Sequence, residues 1–71
     1  MNPVSPKKLL HSKWTAVKPV NKEKHWLVVD VICDDNDVPQ RCMLEAVLSR
    51  RSMEKDWRVL KDGSLWRPGW V

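Results

Sequence analysis

The chain has no phenylalanine and no tyrosine. All aromatic burial therefore rests on Trp14, Trp26, Trp57, Trp66 and Trp70. Two cysteines, Cys33 and Cys42, are too few for a disulfide scaffold, and their scarcity suits a reducing compartment. If oxidised, the two could bridge, since they fall near one another in the hairpin expected below. No apolar run approaches a membrane span, and no secretory-type apolar segment follows Lys7-Lys8. These absences point to a cytoplasmic protein with no membrane contact. His11, His25, Cys33 and Cys42 are zinc-ligand types, but no Cys-x-x-Cys or His-x-x-x-His pair holds them at ligand spacing. The cysteines then read as small core hydrophobes, and neither metal nor cofactor is expected. The run Asp34-Asp35-Asn36-Asp37 lacks the central glycine, terminal glutamate and flanking helices of a calcium loop, and reads as a solvated turn. No nucleophile, base and orienting group form a set, and a chain this short has little interior for a catalytic pocket. An enzyme is not expected.

What is present is tryptophan and an uneven charge. In 71 residues one domain buries only roughly 60–65% of the surface its unfolded chain exposes. An indole, burying on the order of 200 Å², is an efficient remedy, though its N–H then needs a partner. The net charge is +4. Residues 1–27 carry six lysines against Glu23 alone, residues 28–40 four aspartates and no base, and residues 41–71 seven bases against four acids.

Along the chain, residues 1–12 read as a flexible N-terminal arm, with Leu9-Leu10 available to tether its end. Residues 13–71 read as a single small tryptophan-rich domain. Lys13–Val17 alternates weakly and is β-prone up to Pro19. His25–Cys33 is the clearest strand, with Leu27, Val29, Val31 and Cys33 on one apolar face and Trp26, Val28, Asp30 and Ile32 on the other. Residues 41–50 put Cys42, Leu44, Ala46 and Leu48 on one face and pair well with that strand. Placing Asp30 opposite Glu45 would be mildly unfavourable, and a two-residue shift relieves it. Asp62-Gly63 is a type I′ hairpin signature that sets Leu60 opposite Leu65 and Val59 opposite Trp66. Pro68-Gly69 bends the chain so that Trp70 folds back. The expected fold is all-β: a small antiparallel meander of four to five strands, bent or closed into a barrel. The alternative is α+β, with a helix around residues 43–55.

Four segments carry a family likeness: Leu9-Leu10-His11-Ser12-Lys13-Trp14-Thr15-Ala16, Glu23-Lys24-His25-Trp26, Leu44-Glu45-Ala46-Val47-Leu48, and Trp57-Arg58-Val59-Leu60-Lys61-Asp62 with Trp66 and Gly69-Trp70. Over nearly the full length the chain resembles a family of small tryptophan-rich bacterial proteins with no assigned activity. The resemblance implies a bacterial cytosolic setting and a self-sufficient domain. It supplies no ligand and no catalytic residue.

Two binding readings follow from composition. Small β folds hold single-stranded nucleic acid by stacking bases on exposed aromatics while Lys and Arg meet phosphates. Here bases flank the tryptophans in Lys13-Trp14, Lys24-His25-Trp26, Trp57-Arg58 and Trp66-Arg67, and Arg50-Arg51 adds a basic pair. No RNP-type aromatic pattern or Gly-x-x-Gly loop accompanies them. Indoles rimmed by arginine are equally the composition of protein interfaces, and the acidic run at 34–37 suits a mixed-charge protein partner or self-association. A planar ligand held between tryptophans is a third option. The candidate binding residues are Lys13, Trp26, Arg50, Arg51, Trp66, Arg67 and Trp70.

Overall fold

The computed structural model describes residues 2–71. A run of nine residues rich in β-branched side chains, free of glycine and proline, forms the longest strand, β2 (His25–Cys33). It is flanked by β1 (Lys13–Ala16) and β3 (Pro39–Ala46), and β4 (Ser52–Asp56) pairs with β3. The last strand, β5 (Trp66–Pro68), pairs with the far side of β1. The result is a five-stranded antiparallel sheet in the order β4-β3-β2-β1-β5, not closed into a barrel, with β4 and β5 as its edges. Helical structure among the described residues is limited to two 3-10 segments, Pro6–Lys8 and Trp57–Lys61. The fold is all-β.

Residues 43–55 form no helix. Cys42, Leu44 and Ala46 alternate inward and are fully buried, which a strand allows and a helix does not. The strand ends sooner than expected, at Ala46. Ala46 N–H donates to the Arg51 carbonyl and Arg50 N–H to that of Ala46, both at 2.8 Å, with Arg50 left-handed at φ 64°. Leu48 consequently lies in an exposed turn rather than on the apolar face.

A bulge sets which face of β2 is buried. Val28 pairs with Leu44 but Asp30 with Met43, so Val29 is an extra residue. Before it, Trp26 and Val28 point inward; beyond it, Val31 packs on the core while Val29 and Cys33 are exposed. The apolar face expected from Leu27, Val29, Val31 and Cys33 does not exist as a unit, and Asp30 meets no opposing glutamate. Cys33 lies opposite Pro39 and Cys42 opposite Val31, and both thiols are free. Burial pushes the Cys42 thiol up to about 11, with the Asp56 carboxylate adding to the shift.

The C-terminal hairpin is also replaced. Asp56 caps a 3-10 turn, its Oδ1 accepting from Arg58 N–H at 2.9 Å, and Trp57 and Leu60, three residues apart, both enter the core. Asp62 then accepts from the N–H groups of Leu65 and Trp66, and β5 runs to β1 instead of back along residues 59–60. At the other end, Leu9 is buried, and Asn2 Nδ2 donates to the carbonyls of Leu60 and Trp66 at 2.9 and 2.6 Å. Met1, part of the arm expected over residues 1–12, lies outside the described residues.

Candidate functional site

Strand alternation divides the sheet into two faces with different chemistry. The inner face gathers Trp14, Trp26, Val28, Leu44 and Trp66, and is covered by Trp57, Leu60 and Leu9. Three buried indoles have N–H partners there. Trp14 donates to Ser12 Oγ at 2.8 Å, Trp26 to the Glu23 carbonyl at 2.9 Å and Trp57 to the Pro39 carbonyl at 2.8 Å. Trp26 and Trp66 meet edge to face, with centroids 6.3 Å apart at 85°.

Where the covering layer stops, the inner face opens into a cleft of about 340 Å³. Met53 and Lys55 of β4 reach it because their cross-strand partners, Leu44 and Cys42, point inward. Val59, Leu65, Trp26 and Trp66 also line it. Lys18, Lys55 and Arg51 bring positive charge to it, and Glu23 is its one acidic residue. Glu23 is 2% exposed. Its carboxylate accepts from Arg51 Nε at 2.9 Å, from a second Arg51 nitrogen, and from Ser49 Oγ. The hydrogen bonds from Arg51 and Ser49 hold it well down, to about 2.

The outer face carries the remaining indole. Gly69, left-handed at φ 78°, turns the chain back across β1. Thr15 Oγ1 ties the segment down, donating to the Gly69 carbonyl at 2.7 Å and accepting from Val71 N–H at 3.1 Å. Trp70 Nε1 donates to the Trp26 carbonyl at 3.0 Å. The ring lies 5.9 Å from that of His25, tilted by 30°, and 4.8 Å from Lys13 Nζ. Trp70 remains 41% exposed. Arg67, paired with Thr15 across β1 and β5, projects to the same outer face because Trp66 before it points inward.

A family model described as tryptophan-rich protein (DUF2389) matches residues 12–71. The chain belongs to this tryptophan-rich family. No curated protein and no solved structure matches it. The matched span begins one residue before β1 and takes in the whole sheet.

In this family member the candidate residues separate into two groups. Lys13 and Trp70 come together on the outer face, which Arg67 shares. Trp26 and Trp66 are buried at 6% and 7% exposure, and with Arg51 they belong to the inner cleft. Arg50 stands apart in the turn after β3, which is bonded to the start of β2 by Val47 N–H to the His25 carbonyl at 3.0 Å. Sequence reasoning missed Lys18, Glu23, Met53 and Lys55 of the cleft, and His25 under Trp70. For Met53 and Lys55 the period-two spacing on β4 was available as a signal. For Glu23, the one acid among six lysines in residues 1–27, the charge isolation was the clue. Among the described residues no three of His, Cys, Asp and Glu cluster to hold a metal, and no helix is long and apolar enough to cross a membrane.

Proposed function

We propose that this domain is a non-catalytic, cytoplasmic binding module that contacts single-stranded nucleic acid through the outer face around Trp70. The supporting observation is the one well-exposed indole, held in place by its own N–H and beside Lys13, on the face to which Arg67 also projects. Among the described residues neither cation is in an ion pair. A base stacks on the open side of the ring, and Lys13 and Arg67 meet the flanking phosphates, with Arg50 near the same end of the sheet. One stacking residue, contributing about 1–3 kcal/mol, makes such binding weak and tolerant of sequence. Trp26, Trp66 and Arg51 contribute to this surface only by supporting the sheet.

The test is a tryptophan-fluorescence titration with single-stranded DNA and RNA oligonucleotides at low and raised salt. Saturable quenching that weakens with salt is expected. Trp70→Ala should abolish it, and Arg67→Ala should flatten its salt dependence. No change at low salt would remove the proposal. A protein partner is the second reading, favoured by the two sheet edges, β4 and β5, either of which can accept an added strand.

A further inference from the structure

We infer that the inner-face cleft is a second binding site, independent of the Trp70 surface, and that it takes a small organic anion with an apolar tail, such as an acyl or aryl carboxylate. Size and charge carry the inference. The cleft measures about 340 Å³, at the small end of the range for small-molecule sites and mostly apolar in its walls, as such sites are. Met53, Val59 and Leu65 line it together with the perpendicular pair Trp26 and Trp66, which suits an acyl chain or a flat ring.

The charge around that apolar space does not balance. Lys18, Arg51 and Lys55 supply three cations against Glu23, and both Glu23 oxygens already accept hydrogen bonds. Arg51 spends its Nε and one terminal nitrogen on Glu23, leaving the other terminal nitrogen without a partner among the described residues. Lys18 and Lys55 form no ion pair there. An anionic head receives charge-assisted hydrogen bonds from these groups while its tail displaces water from the indoles. A cation of the same shape meets the same three positive groups and is excluded.

The experiment follows indole N–H and backbone amide resonances of the full chain during titration with octanoate, octylamine and acetate. Octanoate should shift the Trp26 and Trp66 signals saturably while Trp70 stays in place, and octylamine and acetate should leave all three unmoved. The exposed-lysine variant Lys18→Gln/Lys55→Gln should keep the parent spectrum and bind octanoate about tenfold more weakly. Trp70→Ala should bind it like the parent, which separates this site from the nucleic-acid reading. The inference falls if octanoate gives no saturable shift, if octylamine binds as tightly, or if the double variant binds octanoate undiminished. It falls equally if an extended acidic peptide perturbs the β4 and β5 amides while octanoate is inert, because the cleft would then be a seat for an added strand.

Discussion

On the inner face of the sheet Trp14, Trp26, Trp57 and Trp66 are each at most 7% exposed, whereas on the outer face Trp70 keeps 41%. All five lie close to lysine or arginine in sequence, so composition does not separate them. Position does. Trp14, Trp26 and Trp66 occupy inward positions on three adjacent strands, and Trp57 opens a 3-10 turn whose next turn, Leu60, is also buried. Trp70 follows the last strand and is brought to the opposite face by one left-handed glycine. Burying an indole on the inner face contributes on the order of 5 kcal/mol as an upper bound. On the outer face the same side chain is held by one hydrogen bond, a lysine and an imidazole.

The contrast is broken most directly by truncating one indole from each face. Trp26→Ala should destabilise the domain by about 3–5 kcal/mol in urea or thermal unfolding, through lost burial, a cavity beside Trp66 and an emptied cleft floor. An equal loss for Trp70→Ala would erase the distinction between the faces.

Acid provides the next test. The Glu23 carboxyl titrates near 4.5 when unperturbed and at about 2 in the fold. Its depressed value contributes stability that is fully present above pH 4.5 and is lost as pH falls through about 2. Glu23→Gln should therefore flatten the acid limb of the unfolding profile between those values. A variant that unfolds in acid with the parent's pH dependence would contradict this role.

Smaller effects belong to the outer face. Trp70→Ala should cost only about 1 kcal/mol, since it removes one hydrogen bond and exposed ring contacts. Smallest of all, Cys33→Ser should change stability by no more than about 0.5 kcal/mol. In the native parent a thiol reagent should label Cys33 alone. Cys42, fully buried and with its thiol pushed up to about 11, should react only on unfolding.

The strands that pair locally were legible in the sequence. His25–Cys33 and the run through Cys42, Leu44 and Ala46 announce themselves by alternation and β-branching, and the acidic turn between them makes their pairing the cheapest contact in the chain. The bulge at Val29 was not legible, because β2 is apolar on nearly both faces and so offers no parity to read. Asp62-Gly63 misled for a different reason. It is a turn, but Asp56 and the three-residue spacing of Trp57 and Leu60 favour a 3-10 segment before it, and the next strand finds its partner in β1. That pairing joins Trp14 to Pro68, a contact with no local signal, and it decides which candidate residues share a surface. The sequence therefore named candidate side chains without showing that they fall on two faces.

The placement of β5 also bears on the order in which the fold assembles. Strands β1 to β4 form a meander of neighbours, whereas β5 must close against a strand more than fifty residues earlier in the chain, so its docking is the slow, entropically costly step. Three residues long, it is also the strand with least to hold it. Its amides should exchange with solvent faster than those of β2 and β3. Because β5 holds Trp66 on one face and leads into Trp70 on the other, each transient undocking takes a wall from the cleft and the ring from the outer surface together. Occupancy at either surface should then slow exchange in β5, one readout shared by two surfaces on opposite faces of the sheet.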